Sequence, residues 1–142
     1  MIPGLIASAC ALLAATAFGL GWRARNGQVR TAPAADATAA PGGLTPDDIG
    51  MSLGSRATLV QFSSAFCAPC RATRRILSDV AGMVDGVAHV EIDAESRLDL
   101  VRRLDVRRTP TTFVLGPDGR ISHRASGQPR KADVIAALGA VL

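Results

Sequence analysis

The sequence predicts a three-layer α/β sandwich with a mixed central sheet, carried behind one N-terminal membrane-spanning helix and a flexible tether. Three observations lead there. Residues 2–22, IPGLIASACALLAATAFGLGW, contain no charged side chain. Residues 28–43, QVRTAPAADATAAPGG, offer Ala, Pro and Gly but almost no large apolar residue, too little to build a core. From Leu44 onward the hydrophobic period alternates between that of strands and that of helices.

At about 1.5 Å per residue, the apolar run is long enough to cross the hydrocarbon layer as a helix. Trp22 at its end suits the interface, and Arg23 and Arg25 follow at once. A cleaved signal peptide fits less well, because no basic residue precedes the run, although ATAA at 37–40 offers a place to cut. Cys10 reads as a small hydrophobe within the run. A lipoprotein acylation box at ASAC would want the apolar stretch ahead of the cysteine, and here it mostly follows. Arg23, Arg25 and Arg30 all lie after the span, so the positive-inside rule places the C-terminal domain in the cytoplasm. Residues 23–43 then form a semi-flexible tether, and 44–142 the folded domain.

Within that domain, LTPDDI opens a helix, with Thr45 as cap, Pro46 at the first position and acids in the first turn. ATLVQFSS (57–64) reads as a buried strand. From Ala68 to Val84, the apolar residues Ile76, Leu77, Val80, Ala81 and Val84 recur at helical spacing, with Arg71, Arg74, Arg75 and Asp79 on the other side. VAHVEID (87–93) is a second strand, followed by a helix expected to turn Leu98, Val101 and Leu104 inward. TTFVLG and RISHRAS are strands joined at PDG, a hairpin signal, and Val134, Ile135, Leu138 and Val141 mark a closing helix. Parallel pairing comes first and an antiparallel hairpin last, hence the mixed sheet.

A length of 142 residues fits one domain plus an appendage, and 48% hydrophobic with 20% charged residues is ordinary for a globular chain. The net charge of +4 is carried almost wholly by arginine and raises the question of nucleic acid. The arginines are spread along the chain and share helices with Asp79, Asp99, Asp105 and Asp133. With no Tyr and a single Trp beside the membrane, platforms for bases are scarce, so a solvated basic surface is the better reading and no nucleic-acid partner is expected. The arginine pairs at 102–103 and 107–108 suit an acidic partner or anionic lipid, or simply a solvated face.

The chemistry concentrates in FCAPC, residues 66–70. Cys67 falls where a strand ends and a helix begins, and a helix N-terminus presents unpaired N–H groups with a partial positive charge. Both favour a thiolate at Cys67, and Arg71 adds charge nearby. Pro69 sits in the first turn, where its missing N–H costs nothing. Cys70 lies one turn along, more buried, where it can attack a mixed disulfide formed at Cys67, the arrangement of a nucleophile and its resolver. A structural zinc wants four ligands, and beyond this pair the chain offers only His89 and His123 on separate strands, so no metal is expected. As a staple the pair closes too small a loop to remove much unfolded-state entropy. A redox dithiol is the reading these residues favour, with an inert disulfide as the bland alternative.

Over residues 44–142 the chain resembles the thioredoxin family. FCAPC resembles the family's Cys-x-Pro-Cys site, VEID its second core strand, VRRTPTTFVLGPDGR the segment with its cis-proline, and Gly127 the glycine after the last strand. The resemblance implies a thioredoxin-like sandwich, Cys67 as nucleophile and Cys70 as resolving thiol. It implies that Thr109-Pro110, with a cis bond, faces the dithiol, and that Phe66, Ala68 and Pro69 join them in holding a substrate chain. No cofactor is implied, but a disulfide-bearing protein substrate and an electron-donating thiol system are. The family's buried Asp is here Gln61, and its second-strand Lys is His89, which puts His89 forward for a share of the proton handling beside Gln61, against the plainer reading of a histidine merely satisfied by hydrogen bonds. Phe66 replaces the usual Trp, and Ala68 the usual Gly. The function implied is a membrane-anchored thiol–disulfide oxidoreductase, most simply a reductase. The alternatives are a disulfide-donating oxidase, a thioredoxin dedicated to one maturation pathway such as that of cytochrome c, and a binding module without turnover. Membrane-tethered relatives often face outside the cytoplasm, against the charge rule.

Overall fold

The computed structural model describes residues 2–32 and 43–142. Its elements are α1 (Ile2–Arg25), β1 (Val29–Thr31), α2 (Pro46–Ile49), β2 (Ala57–Ser63), α3 (Ala68–Met83), β3 (Val87–Asp93), α4 (Leu98–Arg103), β4 (Thr111–Leu115), β5 (Ile121–Ser126) and α5 (Lys131–Gly139). The five strands form one sheet in the order β1-β5-β4-β2-β3. Strand β2 runs parallel to β3 and antiparallel to β4, and β4 pairs antiparallel with β5, so the sheet is mixed as expected.

The middle strand organises the core. All seven residues of β2 are buried, because neighbours flank both edges and helices cover both faces. Alternation sends Val60 and Phe62 into a cluster with Phe113, Leu100 and Ile49, under α2 and α4. It sends Ala57 and Leu59 into a second cluster with Leu77, Val80, Val134 and Leu138, under α3 and α5. Phe62 and Phe113 meet edge-to-face at 5.8 Å. The cap on α2 is as read: Thr45 accepts the N–H of Asp48 at 3.2 Å, and Asp48 accepts that of Thr45 at 2.9 Å.

One inward assignment changes. Leu98 is 51% exposed, and α4 instead presents Leu100 and Leu104 to the core. The helix has only six residues, and Leu98 lies about 200° around it from Leu100, on the opposite side. Ile135 is 44% exposed, because the face of α5 follows Val134, Ala137, Leu138 and Val141 and leaves position 135 at its flank.

The boundary of the tether also moves. Helix α1 runs three residues past Trp22, and Ile6–Arg25 has mean hydropathy 1.4 with none of its surface buried. It is long and apolar enough to cross a membrane, a property that a signal sequence shares. Val29–Thr31, expected within the tether, pair antiparallel with β5 in register Val29↔Ala125, Arg30↔Arg124 and Thr31↔His123. Val29 packs on the cluster under α3 and α5, and Ala32 on the other, which gives the short strand its footing. The sheet therefore starts almost directly after α1, and the Ala/Pro-rich stretch follows the first strand rather than preceding the domain. Of the expected tether, residues 33–42 lie outside the described residues.

Two glycines permit this junction. Gly27 has φ +77° and donates its N–H to Ser126 O at 2.9 Å, and a Cβ there would fall 1.8 Å from Gln128 O. Gly127 has φ +95°, and a Cβ there would fall 2.2 Å from Asn26 Oδ1.

Gly27→Ala is expected to detach β1 from β5, with amide exchange rising at residues 29–31 and unchanged in β2. Leu59→Ala, in the closed centre of the sheet, is expected to lower stability by about 3 kcal/mol in denaturant unfolding.

Candidate active site

Strand β2 delivers the chain to the C-terminal edge of the sheet, and α3 begins after a four-residue turn, Ser64–Cys67. Cys67 is the N-cap of α3, with extended backbone, and its Sγ accepts the N–H of Cys70 at 3.2 Å. Pro69 occupies the first turn. Cys67 and Cys70 are joined as a disulfide with their Cα atoms 5.2 Å apart. The two sulfurs differ in access: Cys67 is half-buried, whereas Cys70 is 1% exposed. Only the first can meet another protein's disulfide.

Beneath Cys70 lies a polar chain running across the sheet. Gln61 is fully buried, and its Nε2 donates to Cys70 O at 2.9 Å and to Ser63 Oγ at 2.8 Å. Ser63 Oγ in turn donates to Glu91 Oε1 at 2.6 Å, and Arg74 on α3 forms an ion pair with the same carboxylate. Burial pushes the Glu91 carboxyl up, but the hydrogen bonds from Arg74 and Ser63, with the Arg74 charge, outweigh it and hold the group below its ordinary 4.5. Among the described residues Gln61 Oε1 has no hydrogen-bond partner, and neither has Thr112 Oγ1 on the opposed residue of β4. An amide cannot take up a proton, but this free oxygen remains an acceptor on the group that grips Cys70.

Glu91, not His89, is the titratable neighbour of Gln61. The β2–β3 register sets Gln61 against Glu91 and Leu59 against His89, so the histidine lies two residues further down the strand. It does not line the dithiol cleft; its Nδ1 shares a hydrogen bond of 3.1 Å with Ser78 Oγ on α3, while its Nε2 is buried without a partner among the described residues. Burial holds its pKa below the usual 6.5, against the pull of Glu91. The expected proton-handling role of His89 therefore loses its geometric basis.

Of the remaining predicted residues, Phe66, Ala68 and Pro69 form a rim, Thr109 is half-buried and Pro110 is buried. Phe66 is wholly exposed, and Ala68 and Pro69 are exposed beside it, leaving an apolar surface around Cys67. The Thr109–Pro110 bond is cis, and Ser64 Oγ and Thr109 Oγ1 share a hydrogen bond of 2.9 Å that ties this loop to the turn before Cys67. On the other side of the pair, a cleft of about 410 Å³ is lined by Cys67, Cys70, Ser63, Arg74 and Glu91 among others. Ser63, Arg74 and Glu91 were not singled out from the sequence. The signal lay in the period of two on VAHVEID, which puts Glu91 on the same face as His89, one step nearer the strand end that bears the dithiol.

Comparison with known proteins agrees with this geometry. The thioredoxin family model matches residues 50–140. No curated protein sequence matches the chain. Among solved structures, chloroplastic thioredoxin z is 27% identical with a TM-score of 0.55, covering 61% of this chain and 79% of its own. A single-site mutant of a thioredoxin from Halobacterium salinarum is 20% identical with a TM-score of 0.56, covering 61% and 75%. Fasciola hepatica thioredoxin is 20% identical with a TM-score of 0.55, covering 63% and 84%. The latter two likenesses concern the fold alone.

A depressed carboxyl pKa stabilises the fold above the unfolded value and loses that stabilisation as pH falls through the folded one. Glu91→Gln is therefore expected to unfold with a shallower loss of stability than the parent between about pH 5 and about pH 3, read by denaturant midpoints. His89→Ala is expected to leave the pH profile of disulfide reduction unchanged.

Proposed function

The chain belongs to the thioredoxin family, and from that premise we propose that it is a membrane-anchored reductase of protein disulfides acting through Cys67 and Cys70. The broader class, thiol–disulfide oxidoreductase, follows from the thioredoxin fold together with a cysteine pair that closes as a disulfide. The observation that carries the finer reading is the unequal access of the two sulfurs at a helix N-terminus.

In the reduced protein, the N–H of Cys70 and the free N-terminal turn of α3 stabilise a thiolate at Cys67. That thiolate attacks one sulfur of a target disulfide; the target's S–S bond breaks, and its second sulfur leaves as a thiol after taking a proton. Cys70 then gives up its proton through the cleft shared with Glu91 and attacks Cys67 Sγ, which releases the first target sulfur. Two thiols of this chain are oxidised and one target disulfide is reduced. An external dithiol must then return two electrons to the Cys67–Cys70 bond. The apolar rim of Phe66, Ala68 and Pro69, facing the Thr109–Pro110 loop, supports binding of an extended protein segment rather than a small polar thiol. Proline before the second cysteine resembles the reducing members of the family. Exposed apolar side chains along Ile6–Arg25 of α1 support a bilayer rather than protein as its surroundings.

Equilibration of the full chain in detergent against a thiol redox buffer tests the direction. A potential near about −270 mV is expected, and one near about −120 mV would make the protein an oxidant. Cys67→Ser is expected to abolish turnover, while Cys70→Ser accumulates a mixed disulfide with target. Binding of targets undiminished by Cys67→Ser would point instead to a module without turnover.

A further inference from the structure

A cluster of four arginines lies where α1 meets the sheet. Arg25 at the end of α1, Arg30 on β1, Arg108 before the cis-proline and Arg124 on β5 line one cleft of about 400 Å³. Among the described residues no carboxylate lines it. Asp105 pairs with Arg107 at 3.0 Å, and its carboxyl is held low chiefly by that hydrogen bond and in smaller part by the charge of Arg124. None of the four arginines forms a salt bridge among the described residues.

The fold holds these charges together against their repulsion. Arg30 and Arg124 are directly opposed in the β1–β5 ladder, an arrangement that destabilises a strand pair when both residues carry the same charge. Arg124 is fixed by bonds to the carbonyls of Leu104 and Asp105 at 2.8 and 2.6 Å, and lies 5.1 Å over the Phe113 ring. Arg108 donates to Ser126 O at 2.8 Å, and Arg30 to Gln28 Oε1 at 3.0 Å. A guanidinium has five donors, so each keeps several for a ligand, and the planar fork suits phosphate oxygens. A second cleft, sharing Arg25 and Arg108, continues along the membrane helix past Trp22 and Phe18. A ligand that satisfies both clefts has a phosphate at one end and an apolar chain at the other.

From this juxtaposition we infer that the arginine cleft binds the headgroup phosphate of an anionic phospholipid, with an acyl chain lying along the Phe18–Trp22 side of α1. The inference rests on the reading of α1 as a membrane helix. Arg108 immediately precedes Thr109–Pro110, and Gly127 donates to Pro110 O at 2.7 Å, so headgroup binding holds the substrate-binding edge of the dithiol against the membrane surface. The disulfides within its reach are then those of membrane-embedded or membrane-surface proteins.

Trp22 is the sole tryptophan, so its fluorescence reports on this junction. The full chain in uncharged detergent micelles is titrated with phosphatidylglycerol, phosphatidylcholine or inorganic phosphate. A saturable response to phosphatidylglycerol is expected, weakened roughly thirty-fold in the Arg25→Gln/Arg30→Gln double variant and also weakened in Arg108→Gln. It is expected to persist in Arg56→Gln/Arg75→Gln, which removes the same charge elsewhere. An equal response to phosphatidylcholine, an equal loss in the control double variant, or displacement of the lipid by inorganic phosphate at matching concentration each overturns the inference. Alkaline extraction of membranes tests the anchor separately: release of the protein refutes the membrane reading. A retained protein that does not distinguish the two lipids refutes the headgroup site alone.

Discussion

Burial of β2 along its whole length is the constraint on which the rest depends. A strand with neighbours on both edges and helices on both faces places every side chain out of water, so its polar members must find partners inside. Thr58 accepts the N–H of Gly54 at 2.9 Å, and Gln61 and Ser63 are drawn into the chain that ends at Glu91. The first turn of α3 is fastened to this strand through Gln61 and the Cys70 carbonyl. The dithiol is therefore positioned by a fully buried strand, though it sits at an exposed edge. Rigidity beneath and access above are both needed by a sulfur that must meet another chain and then be met by its own partner.

The polar chain also explains how the site tolerates an amide where a carboxylate would be the more direct base. The negative charge is displaced sideways, onto the adjacent strand, and partly neutralised by Arg74. Glu91 then faces the cleft while Gln61 remains a neutral clamp under Cys70. The separation keeps an unpaired charge out of the fully buried position, where desolvation would be most expensive. His89 lies further down the same face, engaged with Ser78.

The α1 end of the domain follows a different logic. Strand β1 contributes three residues, and its pairing with β5 brings two arginines face to face beside two more. Such a grouping is unfavourable unless an anion accompanies it, and it stands where an apolar helix leaves the domain. The arginine pairs conspicuous in the sequence divide accordingly. Arg103 is engaged by Asp48 and Arg107 by Asp105, whereas Arg108 turns to the cleft.

The cis bond at Thr109–Pro110 was implied by the family resemblance, whereas sequence patterning alone determined the order of elements from Leu44 onward and the placement of the cysteine pair at a strand-to-helix junction. Those features are local: hydrophobic period, capping residues and turn chemistry act over a few neighbours. Three things were decided only by tertiary structure. The register of β2 against β3 chose Glu91 over His89, because strand offset depends on how the whole sheet packs. Val29–Thr31 became a strand because β5 offered an edge and the core offered Val29 a seat; three residues in isolation carry no strand signal. The four arginines of the cleft come from positions 25, 30, 108 and 124, and no local pattern brings such distant residues together.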